Sequence, residues 1–315
     1  MNKPLIVIGE SIHASIPKTG SMMKQLAELG PEAYSMPGEP LDYIKGLIES
    51  QAAQGADYIA VNLDAFGEDE PRIAVEMMLE YVKMVRKWAG GVPICIDSSD
   101  ENVLTAGLKE WYNSADDVRP PLLNSIKVYT MDNLLPLKKD YDYAFVAMLM
   151  SESGRSHSID ELYSLARQIF EEAVGKCGFR AEEIFFDSTI FPLAIDMPMQ
   201  PGEPGHTYKT FEVIRKIKSD PEMSGVHFTG GISNCARDLP ARKIGVMRAF
   251  VHKAMEYGLD SAIANPAHHF GQTEPDPDLL ELVDAYAKMD GALENMNNAM
   301  MLMGRFCREC RKPAE

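Results

Sequence analysis

Short apolar runs recur along the whole chain, separated by longer amphipathic stretches. Eight of them have the length and composition of buried strands, at residues 5–9, 58–63, 93–97, 122–126, 143–148, 183–187, 225–229 and 262–265. Helical spacing of apolar residues lies between them, most clearly over 40–54, 72–88, 159–177, 207–218 and 243–257. Strands that alternate with helices indicate βα units and a parallel sheet, and nearly continuous apolar strands indicate a sheet covered on both faces.

Eight such units predict an α/β protein of the (β/α)8 TIM-barrel class. The length of 315 residues fits a barrel of about 250 residues with insertions. A doubly wound sheet is the alternative, and the absence of a G-x-G-x-x-G motif makes it the weaker one. We expect a single barrel domain over 1–315, with a C-terminal helix and charged tail at about 290–315 whose methionines pack in the core or contact a second subunit.

Composition narrows the possible partners. The net charge of −16 argues against a nucleic-acid partner, because phosphate binding needs a basic surface. Five cysteines, an odd number, fit a reduced cytoplasm better than a disulfide framework. No apolar run approaches the ~20 residues of a membrane-spanning helix, and the first residues lead directly into a strand, so we expect no membrane segment or signal peptide.

Polar residues follow several predicted strands at the point where each strand ends. They are Asp97-Ser98-Ser99, Asn124-Ser125, Asp187 and Gly230-Gly231-Ile232-Ser233-Asn234. In a (β/α)8 barrel the carboxyl ends of the strands share one face, and that face carries the active site. The pattern therefore predicts a pocket that binds a neutral, hydrogen-bonding heterocycle.

Each of these residues also has a purely structural interpretation. Asp97 is equally compatible with ligand binding and with capping the next helix, and for Ser98 and Ser99 we favour the cap. A buried Asp187 needs hydrogen-bond donors, which Ser188 or Thr189 could supply in part. Asn124 alone would be read as a turn residue, and a glycine pair also occurs in ordinary loops.

Other candidate motifs carry less chemistry. The chain has no G-x-x-x-x-G-K-[ST], H-E-x-x-H or G-x-S-x-G motif. The adjacent His268 and His269 are poorly spaced for two ligands on one helical face, and His13 is better explained as a structural polar contact. Cys307 and Cys310 form a C-x-x-C without a second pair, so we expect no metal site.

Taken together, the motifs resemble the pterin-binding barrel family, and within it the methyltetrahydrofolate:corrinoid-protein methyltransferases. The resemblance runs from the first strand to about residue 267. Its pieces are Leu5-Ile6-Val7-Ile8-Gly9-Glu10, Gly55-Ala56-Asp57 leading to Asn62, Asp97-Ser98-Ser99, Asn124-Ser125, Phe186-Asp187, Gly230-Gly231-Ile232-Ser233-Asn234 and Gly258-Leu259-Asp260-Ser261-Ala262-Ile263.

This resemblance implies a role for each matching position. Asp97, Asn124 and Asp187 match positions that hydrogen-bond the aminopyrimidinone edge of the pterin. Asn234 matches the residue near pterin N5, where it acts in catalysis, and Asn62, Gly230, Gly231 and Ser233 complete the implied pterin site. The substrate would be tetrahydrofolate or methyltetrahydrofolate, and the corrinoid (cobalamin) would be carried by a partner protein.

One departure from the family pattern concerns the second strand. Acetogenic members have an Asp before the Asn at its end, whereas this chain has Ala60-Val61-Asn62, with Asp64 two residues later. The segments at 13–38, 151–158 and 191–205 are also longer than in the compact acetogenic form. We therefore expect a member that serves a catabolic demethylase system, such as O-demethylation or glycine betaine use, and transfers methyl from the corrinoid to tetrahydrofolate.

Two alternative functions remain open at the level of sequence. A dihydropteroate synthase would have a Ser-Arg-Lys run near strand seven, where this chain has Cys235-Ala236-Arg237-Asp238. A non-catalytic folate- or corrinoid-protein-binding subunit is the other alternative. The family also implies a cytoplasmic homodimer, and Lys127, Arg237 and Arg242 are positional candidates for binding the glutamate tail of folate.

Overall fold

A parallel eight-stranded barrel forms the body of the protein. The computed structural model describes residues 5–113, 118–154, 157–198, 200 and 202–310. The strands are β1 (Ile6–His13), β2 (Tyr58–Asn62), β3 (Ile94–Asp97), β4 (Leu122–Ile126), β5 (Ala144–Met148), β6 (Ile184–Asp187), β7 (His227–Phe228) and β8 (Ser261–Ala264).

Helices surround the strands. In chain order they are α1 (Pro17–Leu29), α2 (Glu39–Ala53), α3 (Asp64–Gly67), α4 (Pro71–Trp88), α5 (Glu101–Tyr112), α6 (Met131–Leu134), α7 (Ile159–Lys176), α8 (His206–Lys218), α9 (Lys243–Tyr257), α10 (Pro277–Ala287) and α11 (Leu293–Glu309). Within the described residues, no helix is long and apolar enough to cross a membrane.

The order of the strands in the sheet is β7-β6-β5-β4-β3-β2-β1-β8. A parallel bridge between Gly231 and Ile263 joins the two ends, and the Ile263 N–H donates to the Gly230 carbonyl at 3.0 Å. The sheet therefore closes into the (β/α)8 barrel that the alternating pattern predicts.

Strand alternation divides the core into two parts. The smaller part fills the barrel interior with side chains that share the inward direction: Ile8, Ala60, Cys95, Leu122, Ala144, Val146 and Phe185. The larger part lies between the strands and the helices. Both faces of every central strand are thus buried, which explains why the strands appear in the sequence as continuous apolar runs.

All eight predicted strands are present, and the five predicted helices correspond to α2, α4, α7, α8 and α9. The segment 13–38 differs from a plain loop, because it contains α1 and a short 3₁₀ turn at Pro31–Tyr34. The predicted C-terminal helix is α11, which extends beyond the methionine-rich stretch to Glu309. Parts of three predicted segments lie outside the described residues. They are 311–315 of the C-terminal tail, 155–156 of the segment 151–158, and 199 and 201 of the segment 191–205.

An ionic cluster fastens β7 to β8 at the amino-terminal end of the barrel. Asp260 accepts hydrogen bonds from Lys218 Nζ at 2.7 Å and from the Phe228 N–H at 2.9 Å. Its Oδ2 also lies 3.0 Å from His227 Nδ1. Burial raises the pKa of Asp260, but the bonds from His227 and Lys218 outweigh burial, so the pKa is lowered.

We expect Asp260→Asn to destabilise the barrel, because it leaves Lys218 and the β7 backbone without their charged partner. The free energy of unfolding should fall by about 2 kcal/mol, which lowers the melting temperature by roughly 3 °C for a chain of this size. A lowered carboxyl pKa stabilises the folded state above its unfolded pKa, so the difference from wild type should shrink as pH falls below about 4. Thermal unfolding of both proteins against pH, with exposed Asp278→Asn as the matched control, measures this; equal melting temperatures at neutral pH would contradict it.

Candidate active site

A cavity of about 810 Å³ opens at the carboxyl ends of the strands. Seven of the eight predicted site residues line it: Asn62, Asp97, Asn124, Asp187, Gly231, Ser233 and Asn234. The eighth, Gly230, lies just behind the wall, where a Cβ atom would come within 2.7 Å of Ile190 and 3.7 Å of Asp187 Oδ1. The structure therefore brings the predicted residues together at one cavity.

Strand register explains why the residues meet. Asn62 pairs with Asp97, and Asp97 pairs with Asn124, so the three lie in one row across β2, β3 and β4. Each is the polar residue at or near the end of an otherwise apolar strand. In a parallel barrel this places their side chains at the same height on the active face.

Two of the three aspartates that line the cavity, Asp97 and Asp187, are held in an environment that disfavours their charge. Burial, reinforced by the negative charge of Asp64, raises the pKa of Asp97 to about 7, although a hydrogen bond from Asn62 opposes the shift. Burial raises the pKa of Asp187 to about 6. The Thr189 N–H donates to Asp187 Oδ1 at 2.7 Å, which confirms Thr189 as one of the donors that Asp187 needs.

Asp64 links β2 to the turn that follows β3. Its carboxylate accepts from Ser98 Oγ at 2.5 Å and from the N–H and Oγ of Ser99, both at 2.8 Å. The residue that caps α5 is Asp100, which accepts from the Asn102 N–H at 2.8 Å, so the N-cap favoured for Ser98 and Ser99 is wrong. Ser98 Oγ does accept from the Asp100 N–H at 3.1 Å, while both serine hydroxyls donate to Asp64.

Two side-chain amides in the cavity keep their hydrogen-bonding capacity for a ligand. Asn124 is 8% exposed, and its amide makes no hydrogen bond within the part of the chain that the structure describes. The same holds for the amide of Asn234, on the short 3₁₀ turn after β7. A Cβ at Gly231 would lie 3.0 Å from Nδ2 of Asn234, so the glycine leaves room for this amide beside the backbone.

Glu10 is a further cavity residue to which the sequence assigned no role. It lies where the pairing of β1 with β2 shifts register between Gly9 and Ile12. Such bulges change the direction of a side chain and leave no local sequence signal. Burial raises the pKa of Glu10 to about 7, against a hydrogen bond from Ser233 that lowers it.

Two of the three basic residues suggested for binding a glutamate tail line the cavity, namely Lys127 and Arg237. His13 and His268 line it as well. Burial lowers the pKa of both histidines. Arg242 is not among the residues that line the cavity, and its Nη2 is paired with Asp276 Oδ2 at 2.6 Å. Its suggested role in binding a glutamate tail stays a prediction.

This donor set suits a flat heterocycle better than a metal ion. Carboxylates and amides that face one cavity can accept from the amino and ring N–H groups of a guanidine-like edge, while the amides can also donate. Among the residues that the structure describes, no group of three or more His, Cys, Asp or Glu side chains is arranged to hold a metal ion.

Comparison with known proteins supports this interpretation. Residues 38–265 match the family model described as pterin binding enzyme, and the chain belongs to that family. It is 29% identical over 270 residues to a methylcorrinoid:tetrahydrofolate methyltransferase of Eubacterium limosum, covering 83% of this chain and 85% of that protein. It is also 26% identical over 182 residues to methionine synthase of Mycobacterium tuberculosis (strain ATCC 25618 / H37Rv), covering 55% of this chain but 14% of that longer protein.

Solved structures with the same fold include dihydropteroate synthases. The enzyme of Coxiella burnetii, in complex with pteroic acid, superposes with a TM-score of 0.56 at 12% identity over 91% of this chain and 94% of that one. The enzyme of Stenotrophomonas maltophilia gives 0.52 at 15% identity, with the same coverage. At these identities the likeness establishes the barrel fold and nothing finer.

The raised carboxyl pKa values lead to an expectation for stability. A carboxyl whose folded pKa lies above its unfolded value of about 4 binds its proton more tightly in the folded state. Its contribution to stability is therefore present at low pH and is lost as pH rises through about 7. Asp97→Asn removes this penalty, so we expect it to raise the melting temperature at about pH 8 by roughly 2–4 °C.

Calorimetric unfolding of wild type and Asp97→Asn at about pH 5 and about pH 8 measures the effect. The stabilisation should be larger at the higher pH, and exposed Asp278→Asn should show no such dependence. A variant that is less stable than wild type at both pH values would contradict the expectation, because it would show that the Asp97 carboxylate increases the free energy of unfolding.

Proposed function

We propose that this protein transfers a methyl group between N5 of tetrahydrofolate and the cobalt of a corrinoid held by a partner protein. The observation that carries the proposal is the joint placement of Asp97, Asn124 and Asp187 with Asn234 in one cavity. Its specific form is supported by the name of the relative from Eubacterium limosum, which matches over most of both chains. The direction we propose in the cell is from methylcorrinoid to tetrahydrofolate.

The proposed pterin site follows from hydrogen-bond complementarity. The pterin presents an amino group and ring N–H donors beside a carbonyl acceptor. The Asp97 and Asp187 carboxylates would accept from the donors, and the Asn124 amide can both accept and donate. A ligand that supplies donors to two buried carboxyls favours their ionised forms, so pterin binding should release protons below about pH 7.

Asn234 is proposed to act on N5. Methyl transfer changes the charge on N5, and a side-chain amide in a preorganised position can stabilise that charge without being an acid or a base. The absence of a competing hydrogen bond at the Asn234 amide in the described structure, together with the space left by Gly231, supports this role.

The corrinoid must come to the cavity from outside. A cavity of about 810 Å³ is in the usual range for one small ligand, which the folate head group would occupy. The methylated cobalt would therefore be presented at the mouth by a separate corrinoid protein. The proposal also includes a homodimer of single-domain barrels, as the family resemblance implies, and a location in the cytoplasm, as the odd number of cysteines suggests.

The test is a spectroscopic assay of methyl transfer. Methyltetrahydrofolate and Co(I) cobalamin are mixed with the protein, and conversion to methyl-Co(III) is followed by absorbance. We expect turnover in wild type, a loss of about 10²- to 10³-fold in Asn234→Ala, and folate affinity in that variant within a few-fold of wild type. Asp187→Asn should instead weaken folate binding by roughly 10- to 100-fold, with exposed Asp278→Asn as the control of equal charge change.

The outcomes separate the alternatives. Folate binding without methyl transfer, with free cobalamin and with every methylated corrinoid protein tried, would favour a non-catalytic binding subunit. Formation of a pteroate from 4-aminobenzoate would favour a dihydropteroate synthase. Absence of any folate binding would discard the pterin site and leave the barrel alone.

A further inference from the structure

Glu10 occupies a position that the proposed pterin contacts do not use. Its carboxyl enters the cavity from the bulge of β1, on the side where Ser233 and Asn234 line the wall. Ser233 Oγ donates to Glu10 Oε2 at 3.4 Å, which joins the glutamate to the residue directly before Asn234. Within the described residues Glu10 takes part in no ion pair, so a cation does not hold it as a carboxylate.

We infer that Glu10 is the group that holds the proton exchanged with N5 during methyl transfer, with the Ser233 hydroxyl positioned as its link. This inference rests on the proposed function. When methyl passes to tetrahydrofolate, the N5 lone pair forms the new N–C bond and the cobalt–carbon bond breaks, its electron pair remaining on cobalt. N5 then loses its proton, which the Glu10 carboxylate accepts. In the reverse direction, protonated Glu10 supplies the proton that makes N5 a leaving group.

The other acidic side chains and the Asn234 amide are less suited to this task. The Asn234 amide has no titratable proton at neutral pH. Asp97 and Asp187 are assigned to the pterin edge, and the Asp64 carboxylate is already bonded to Ser98 and Ser99. A general acid or base works best when its pKa lies near the working pH, and burial raises that of Glu10 to about 7.

Several charged or titratable groups line the same cavity as Glu10. The acidic ones are Asp64 and Asp97 from the β2 and β3 side and Asp187 from β6. The basic or titratable ones are His13 on β1 itself, Lys127 after β4, Arg237 after β7 and His268 after β8. Because Asp97 also titrates near pH 7, the role of Glu10 has to be read from the transfer step at saturating folate, with binding measured separately.

The experiment is single-turnover methyl transfer from methyltetrahydrofolate to Co(I) cobalamin, from about pH 6 to about pH 8.5, at saturating folate. In wild type the rate should fall with rising pH above about 7, as Glu10 loses its proton, and this decrease is the alkaline limb of the pH–rate profile. Glu10→Gln should lower the rate at about pH 6 by roughly 10²-fold and abolish the limb. Its folate affinity should stay within about threefold of wild type, and Glu10→Asp should restore part of the rate together with the limb. Glu294→Gln, on the exposed start of α11, is the matched control.

Ser233→Ala gives an independent readout. Its hydroxyl lowers the pKa of Glu10, so its removal should shift the limb to higher pH by roughly 0.5 unit. Because Ser233 also lines the proposed pterin site, the shift is measured at folate concentrations that saturate the variant. A purely structural role for either residue would change rate or affinity without moving the limb. Should Glu10→Gln fail to fold, Glu10→Asp and Ser233→Ala carry the test.

The results distinguish the inference from the proposed function. Transfer by wild type with an unchanged pH limb in Glu10→Gln, or with an unshifted limb in Ser233→Ala, would overturn the role of Glu10 and leave the methyltransferase standing. Equal losses of rate and folate affinity in Glu10→Gln would overturn it as well. No transfer by wild type with any methylated or reduced corrinoid would overturn both.

Discussion

The register of three neighbouring strands is the constraint on which the candidate site depends. Because β2, β3 and β4 run parallel and in step, Asn62, Asp97 and Asn124 reach the active face at one height. A slip of one residue would turn all three side chains away from the barrel interior. The apolar residues that precede them in each strand fill the core, so burial of those residues fixes the register and, through it, the site.

That arrangement concentrates acidic groups where water is scarce. Glu10, Asp97 and Asp187 all line one cavity, and burial raises the pKa of each. Burying like charges without a paired cation costs stability, and a fold selected for stability alone would place apolar side chains here. A ligand with several N–H donors, such as the pterin of the proposed function, would relieve this cost when it binds.

Asp64 couples the second strand to the third. It lies at the start of α3, two residues after the end of β2, and its carboxylate binds the serines that follow β3. It also raises the pKa of Asp97 through its charge. A carboxylate just beyond β2 therefore acts on the electrostatics of the cavity, while Ala60 within β2 packs in the barrel core.

Sequence by itself determined the strands, the principal helices, the barrel class and seven of the eight predicted cavity-lining residues, because apolar periodicity and polar strand ends are local signals. Tertiary structure alone decided the remaining features. The bulge in β1 that brings Glu10 into the cavity depends on pairing with β2. Asp64 binds Ser98 and Ser99, although these serines follow it in the chain by 34 and 35 positions. The ion pair between Arg242 and Asp276 likewise joins segments that are distant in the chain. Periodicity reports which face of an element is buried, whereas the direction and partner of a polar side chain depend on segments that only folding brings together.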